Sequence, residues 1–300
     1  MKGNLPSKMS GKKKDVESPK NVREFGKNTR SRVVKAWPGD ERDWLRDAPV
    51  CSLLGRHQII HAGIMDARPP FEIFRTDQSG TFMMACLSGQ GSILVGGGWK
   101  DVKEGQACLL PPFVANGLKC RGGRSWRFCW VRYLERRDTT PIVSAISPVL
   151  GDYAGEPLCR AIEGLLAECE FEGKMALAHH WVELIHQYVL RFAQPHKEDD
   201  RLWKLWKKVG RRLQHPWSLV ELGEVACVSP EHLRRLCQKE LGRSPMQQLT
   251  YLRMQRASEL LLDSDAKIET IARAVGYRNA FHFSNVFVEW AGVRPSEFRK

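Results

Sequence analysis

The spacing of hydrophobic residues changes along the chain. From about residue 50 to 135, short apolar runs are separated by glycine and proline, a pattern typical of strands and turns. From about residue 155 onward, apolar residues recur every three or four positions, which predicts amphipathic helices. The sequence therefore predicts a β domain followed by helices, with strands at 57–63, 71–75, 81–87, 92–95, 107–110 and 126–134 and turns at 88–91 and 96–98.

The last predicted strand is apolar on both faces. Trp126, Phe128 and Trp130 alternate with Cys129, Val131 and Tyr133, so both sides of the strand must be covered. This favours the wall of a barrel.

Residues 155–193 have the spacing of two helices. In the second helix, Trp181, Ile185, Tyr188 and Phe192 form a wide apolar stripe. Two interpretations stay open, because such a stripe can cover the sheet or form a dimer contact. His179, His180 and His186 lie on or near the polar side, and we interpret them as a solvated face rather than a metal site.

The last 83 residues contain one helical pattern twice, 50 residues apart. Ser229 and Asn279 are each placed to cap the start of a helix, and Gly242 and Gly292 are each placed to end it. A shorter amphipathic segment precedes each helix, at 219–226 and 268–275. The sequence therefore predicts two helix-turn-helix units in tandem.

A longer helix from Pro245 to about Leu262 is predicted between the two units. At roughly 27 Å, it can hold two recognition helices in successive major grooves, which lie roughly 34 Å apart on B-DNA. Its predicted buried side consists of Met246, Leu249, Ala257, Leu260 and Leu261.

The net charge of +13 is concentrated at the two ends of the chain. Residues 1–36 carry 11 basic against 3 acidic side chains, and residues 201–300 carry 18 against 10, whereas the middle carries 18 against 21. A basic C-terminal domain suits contact with phosphate, although a solvated basic surface gives the same count. A predicted first helix turns Leu202, Leu205, Trp206, Val209 and Leu213 inward and lysines outward.

Cysteine usage and hydropathy place the protein in a reducing cytosol. The nine cysteines are scattered through apolar runs and read as small core residues. Neither an apolar run of membrane-spanning length nor a signal peptide is present. Residues 1–36 lack periodicity and are expected to have no fixed structure, and 194–200 are the expected linker.

The C-terminal pattern resembles the DNA-binding domain of the AraC/XylS family of bacterial transcription regulators. The resemblance rests on the following matching segments: Trp217-Ser218-Leu219, Ser229 through Leu236, Leu241 through Pro245, Ile271-Ala272, Val275-Gly276-Tyr277, Phe283-Ser284, Phe287, Gly292 and Pro295 through Arg299. Gly223, Cys227 and Asn285 depart from the usual residues of the family. The resemblance implies that DNA is contacted by exposed residues of the two recognition helices: Glu231, His232, Arg234, Arg235, Lys239, Ala280, Phe281, His282, Ser284 and Asn285.

The N-terminal pattern is similar, more loosely, to the cupin-like sensor domain that precedes AraC-type DNA-binding domains. Arg75, the Leu87–Gly91 segment, Gly105, Pro111-Pro112 and Trp126 with Trp130 carry this resemblance. It implies an effector pocket lined by Arg75, Phe128 and Trp130.

A cupin enzyme is the competing class. A metal cupin needs two histidines one residue apart, a carboxylate and a further histidine, and this chain has Asn116 after its double proline instead. His57 and His61 would lie about 13 Å apart on a strand. We therefore expect no catalytic residue, metal ion or cofactor.

The sequence thus predicts an α+β protein: a cupin-like β-barrel with appended helices, then an all-α domain with two helix-turn-helix units. The expected segments are a basic leader (1–36), an effector-binding domain (37–140), a helical dimerisation segment with linker (141–200) and a DNA-binding domain (201–300).

The expected function is that of a cytoplasmic, nucleoid-associated bacterial transcription regulator, an activator by family, that responds to a small molecule such as a sugar or related metabolite. Its expected partners are double-stranded promoter DNA, the effector, RNA polymerase and a second copy of the chain, with no membrane. The alternatives are a ligand-free barrel used only for dimerisation and a DNA-tethered cupin enzyme.

Overall fold

The structure is a computed structural model that describes residues 22–40, 42–75, 80–95, 98–112, 115–134, 142, 147–170, 177–194 and 201–299. A curled antiparallel sheet forms a half-barrel in the N-terminal part, and helices form the C-terminal part. The predicted fold class is confirmed.

The sheet contains ten strands among the described residues. They are β1 (Val22–Phe25), β2 (Arg30–Lys35), β3 (Ile59–Ala67), β4 (Phe71–Arg75), β5 (Phe82–Val95), β6 (Gly98–Lys103), β7 (Gln106–Leu110), β8 (Asn116–Cys120), β9 (Trp126–Tyr133) and β10 (Leu150–Asp152). The main path runs β1-β4-β8-β5-β9-β3-β2, while β6 and β7 pair with β5, and β10 pairs with β7.

The long strand β5 bends the sheet into its half-barrel. Its first half pairs with β7 and β9, and its second half pairs with β6 and β8. The predicted turn at 88–91 was wrong, because the chain continues through it with a shift of register between Cys86 and Ser88. Gly91 passes so close to Trp126 that a Cβ would lie 2.1 Å from the indole ring. Glycine here allows close packing of a bent strand rather than reversal of the chain.

The expectation of no fixed structure up to residue 36 was wrong for its last part. Strand β2 pairs along β3 from Arg30 opposite Asp66 to Lys35 opposite His61, and Val33 and Val34 are buried. Residues 1–21 lie outside the described residues. Strands β6 and β8 were also not predicted, and the strand expected from His57 begins at Ile59 because His57 ends a 3-10 turn (Ser52–His57).

Two helices, α1 (Glu156–Glu170) and α2 (Ala178–Ala193), pack on one face of the sheet. Ile185 and Phe192 of the predicted stripe are buried within the chain. Trp181 lies against Gly164 of α1, where a Cβ would come within 2.6 Å of the indole. Coverage of the sheet and of α1 accounts for the packing of these three residues within the chain, and association through α2 stays a prediction.

The C-terminal part consists of helices α3 (Arg201–Gly210), α4 (Leu219–Val225), α5 (Pro230–Leu241), α6 (Pro245–Asp263), α7 (Ile268–Ala274), α8 (Ala280–Ala291) and α9 (Pro295–Phe298). The inward residues predicted for the first helix are buried, as expected. In α6, Leu249, Ala257 and Leu261 are buried, but Met246 is exposed and Leu260 is only partly buried. None of the described helices has the length and apolar character needed to cross a membrane.

Two apolar cores serve the helix-turn-helix units. Leu222, Leu233 and Cys237 of the first unit belong to the same cluster as the sheet and α1–α3. The second unit has a cluster of its own, which includes Ile271, Phe283 and Phe287. Helix α6 contributes to both clusters and therefore joins the units.

Candidate nucleic-acid interface

The caps predicted for the two long helices are present. The Ser229 hydroxyl accepts a hydrogen bond from the backbone N–H of His232 at 3.2 Å. The Asn279 carbonyl oxygen Oδ1 accepts from the N–H groups of Phe281 at 2.8 Å and His282 at 3.1 Å. These bonds satisfy amides that the helix itself leaves unpaired, so both helices begin where the sequence predicts.

The turns of the two units use different residues. Cys227 adopts a positive φ of 55° in the first unit, and Gly276 adopts 88° in the second. A Cβ on Gly276 would also lie 2.6 Å from the Leu213 carbonyl oxygen. In the first unit, a Cβ on Gly223 would lie 2.8 Å from the Val228 carbonyl oxygen, so the glycine lets the turn approach α4 closely.

The outer face of α5 is polar and carries half of the predicted DNA contacts. Glu231, Arg234, Arg235 and Lys239 are exposed and His232 is partly exposed, while Leu233, Cys237 and Leu241 are buried on the opposite side. Arg234 donates to the Glu231 carboxylate at 3.1 Å. A surface pair of this kind is worth at most about 1 kcal/mol, so a base edge or phosphate can displace it.

The outer face of α8 has a different character. Phe281 is 75% exposed, His282 and Asn285 are exposed, and no lysine or arginine lies on this helix. Ser284 is partly buried and donates to the Ala280 carbonyl at 2.8 Å, so its hydroxyl is engaged within the helix. Ala280 is also partly buried. Of the predicted contacts on α8, Phe281, His282 and Asn285 are therefore the ones presented outward.

Sequence reasoning missed the basic residues around α8. Arg273 lies in the last turn of α7, Arg278 directly precedes the Asn279 cap, and Arg294 directly precedes α9. All three side chains are exposed. Each lies in a turn or at a helix end rather than on the recognition helix. The sequence could have indicated them by their positions near the predicted helix ends, where side chains can reach phosphates.

The three predicted effector-binding residues meet inside the half-barrel. Arg75, Phe128 and Trp130 border one cavity together with Arg23, Trp44 and His61, which the sequence did not indicate. The cavity measures only about 20 Å³, room for about one water molecule. Phe128 and Trp130 are 1% and 3% exposed, so aromatic side chains fill the space expected for an effector.

Burial shifts the pKa values of the polar groups that border this cavity. The Trp130 indole N–H donates to Nδ1 of His61 at 2.9 Å, and burial lowers the pKa of His61 well below its usual value, which keeps the ring neutral. Burial, followed by the charge of Arg132, lowers the pKa of Arg75 to about 9. The guanidinium carbon of Arg75 lies 5.6 Å from the centre of the Phe82 ring.

The histidines of α2 do not all share a solvated face. His179 and His180 are exposed, but His186 is partly buried and stacks on His57 with ring centres 4.1 Å apart. Its Nδ1 lies 3.2 Å from the Tyr133 hydroxyl, and His57 pairs with Glu183 at 2.9 Å. Within the described part of the chain, no group of three or more histidine, cysteine or acidic residues is arranged to hold a metal ion.

Comparison with known proteins places the two helix-turn-helix units in a family. A family model described as a helix-turn-helix domain matches residues 222–300. An uncharacterized HTH-type transcriptional regulator of Haemophilus influenzae is 34% identical over 103 residues, which are 34% of this chain and 35% of that protein. This match confirms the resemblance of the C-terminal segment to AraC-type helix-turn-helix domains.

Two further comparisons extend into the N-terminal part. The MmsAB operon regulatory protein of Pseudomonas aeruginosa is 25% identical over 231 residues, which are 73% of this chain and 74% of that protein. A solved structure of ToxT from Vibrio cholerae aligns over 79% of this chain and 97% of its own, with 13% identity and a TM-score of 0.40. The Haemophilus alignment, in contrast, covers only about a third of that relative.

Proposed function

We propose that the protein is a sequence-specific regulator of transcription that binds double-stranded DNA through α5 and α8. The observation that carries this proposal is the pair of capped helices, each with a buried apolar face and an outward face. Helix α6 holds the two units in one chain, so both can enter successive major grooves. The names of the relatives, which are transcriptional regulators, support it.

Selection from random duplexes tests the proposal. The protein should enrich a defined sequence with two contact regions about one helical turn apart. Its affinity for that sequence should exceed its affinity for unrelated DNA by about 10³-fold or more at physiological salt. Equal binding to every duplex would contradict a sequence-specific function.

We propose that the N-terminal half-barrel senses a small molecule and that Arg75 contributes to that response, as the resemblance implies. Because the cavity beside Arg75 is so small, binding there requires the aromatic side chains to move apart. Arg75→Ala should lower the affinity for a true effector by about tenfold or more in calorimetry. Unchanged affinity would place the effector elsewhere, and Arg56→Ala, an exposed change in a 3-10 turn, is the control.

We also propose that two copies associate through the exposed side of α2. Leu184 on this helix is 40% exposed and Leu177, directly before the helix, is 51% exposed, unlike the buried Ile185. Leu184→Glu should leave the protein folded and lower its sedimentation coefficient to that of a monomer at micromolar concentration. Gln187→Glu, an exposed polar change on the same helix, should leave association unchanged.

We further propose that the protein acts in the bacterial cytoplasm and activates promoters through RNA polymerase.

A further inference from the structure

The sheet domain brings two cysteines from separate segments into direct contact. Cys51 directly precedes the 3-10 turn at Ser52–His57, and Cys169 lies in the last turn of α1. The Cys169 thiol donates a hydrogen bond to the Cys51 sulfur, so the two sulfur atoms are neighbours. Cys51 belongs to the apolar cluster between the sheet and its helices, and Cys169 packs against that cluster. The folded chain therefore places two thiols where a disulfide can join them.

Rigid elements hold both members of this pair. The Cys51 N–H donates to the Lys35 carbonyl at 2.8 Å, and the Cys51 carbonyl accepts from the Leu54 N–H at 3.2 Å. Cys169 is carried by α1, which packs on α2 and on strands β2 and β3. Cys51 is fully buried, whereas Cys169 is partly exposed. The pair therefore lies at the edge of the core, one side chain away from solvent.

The hydrogen bond makes the two thiols chemically unequal. The bond from Cys169 is the main cause that lowers the pKa of Cys51 to about 7, against the opposing effect of burial. Backbone N–H groups of Leu53 and Leu54 lower it further. The same hydrogen bond raises the pKa of Cys169, which stays protonated. Because the thiolate is the reactive form of cysteine, Cys51 is the nucleophile of the pair.

Two other neighbouring pairs of cysteines in the sheet domain lack this property. Cys108 lies near Cys86, and Cys129 lies near Cys159. Burial raises the pKa of all four thiols, so they stay protonated and unreactive. Among the described cysteines with a shifted pKa, Cys51 is the one whose pKa is lowered. Selective oxidation is therefore expected at the pair that contains Cys51.

We propose that Cys51 and Cys169 are an oxidation site that forms a reversible intramolecular disulfide with hydrogen peroxide. The Cys51 thiolate attacks one peroxide oxygen, the O–O bond breaks, and hydroxide leaves as Cys51 becomes a sulfenic acid. The Cys169 sulfur then attacks the Cys51 sulfur, which forms the S–S bond and releases water. The hydroxide takes up the proton that Cys51 had lost. Two thiols and one peroxide thus give one disulfide and two water molecules.

Peptide mapping of the unaltered full-length protein tests the proposal. The reduced protein is treated with a small excess of hydrogen peroxide, remaining thiols are alkylated, and the digest is analysed by mass spectrometry without reduction. We expect peptides joined through Cys51 and Cys169, formed at least about tenfold faster in the folded protein than in urea and separated by dithiothreitol. If another cysteine is oxidised first, or if folding does not accelerate the reaction, the proposal is wrong.

Single substitutions test the role of each thiol. In Cys169→Ser the sulfenic acid at Cys51 has no partner thiol, so dimedone should label Cys51, whereas Cys51→Ser should leave Cys169 unlabelled. Cys227→Ser, at an exposed cysteine outside the pair, is the matched control and should form the disulfide at the unaltered rate. Labelling of Cys169 instead of Cys51 would overturn the assignment of the nucleophile. The map of the unaltered protein decides the site itself, whether or not these variants fold.

Urea denaturation measures how well the disulfide fits the folded chain. The oxidised protein should have a higher midpoint than the reduced protein, because the cross-link restricts the unfolded chain. A lower midpoint would mean that the bond distorts the fold, which contradicts the proposal. Any effect of oxidation on DNA affinity or on association through α2 rests on the proposed function, so it is measured separately and its failure leaves the peptide map intact.

Discussion

At the scale of single residues, the two recognition helices are chemically unequal. Helix α5 presents Arg234 and Arg235, whereas α8 presents Phe281 and Asn285 and no cation. Arginine can donate to two acceptors of guanine, while a phenyl ring can contact a thymine methyl and asparagine can pair with adenine. We therefore expect the first unit to contribute most of the base recognition that depends on charge.

Alanine substitution tests this inequality. Arg234→Ala and Arg235→Ala should each weaken binding by roughly 1–3 kcal/mol and relax preference at particular base pairs, and Asn285→Ala should cost less. Titrations against the selected sequence, its single-base variants and random DNA at two salt concentrations measure both effects. An equal loss on every sequence would mean that these arginines hold only phosphate.

At the scale of elements, each helix-turn-helix unit depends on a turn that brings two helices together. In the second unit, Gly276 combines a positive φ with close approach to the Leu213 carbonyl oxygen and to Nη2 of Arg253. Arg253 in turn donates to the Leu213 and His215 carbonyls at 3.1 and 2.8 Å. The turn is therefore packed against the segment that follows α3.

Gly276→Ala should destabilise the protein. The left-handed conformation alone costs a residue with a Cβ about 1–2 kcal/mol, and the contact with the Leu213 oxygen adds to this. Gly210→Ala is the control, since a Cβ at this last residue of α3 meets nothing within 4 Å. Denaturant unfolding should show a lower midpoint for Gly276→Ala only, and equal midpoints would contradict this account of the turn.

A second element-level feature is the histidine stack between α2 and the turn that precedes β3. Burial, followed by the charge of His57, lowers the pKa of His186 from its ordinary value to about 4, while Glu183 acts in the opposite direction. In the unfolded chain the ring titrates near its usual pKa of about 6.5. Between these two pKa values the unfolded state binds more protons than the folded state. The contribution of the neutral His186 ring to folding stability is therefore complete above about pH 6.5 and is lost as the pH falls toward about 4.

His186→Gln removes this titration and should flatten the decline. The free energy of unfolding of the variant should change less between pH 6.5 and pH 4 than that of the unaltered protein, measured by urea denaturation. His180→Gln, an exposed change on the same helix, should keep the full dependence. A decline of equal size in both variants would show that other groups are responsible.

At the scale of the whole molecule, the sheet shares one apolar cluster with the first helix-turn-helix unit and the start of α6. Leu241 of α5 and Leu249 of α6 lie in the same cluster as Val34 and Met83 of the sheet and Ile185 of α2. Together with the contacts of Gly242 with Leu150 and of Gly292 with Ala115, this packs the N-terminal domain against both helix-turn-helix units. Ile185 and Phe192 of the stripe on α2 are buried in this internal packing.

The sequence by itself determined the features that depend on near neighbours. The caps at Ser229 and Asn279 accept hydrogen bonds from amides two or three residues away. Gly242 and Gly292 adopt the positive φ that a helix end requires, which is also a local property. The spacing of these residues in the sequence therefore predicts both features. The helical repeat, the order of the domains and strands such as β4 and β9 follow from such local patterns.

Only the tertiary structure decided the features that join distant residues. Strand β2 forms because it can pair with the edge of β3. The 88–91 segment continues as a strand because Trp126 packs over Gly91. Met246 is exposed because α6 borders a cleft. The space beside Arg75 is closed by Trp44, His61 and Trp130, which meet from three separate segments. The volume of a cavity and the burial of a side chain depend on all the segments that pack around them. The spacing of residues within one segment therefore cannot predict either.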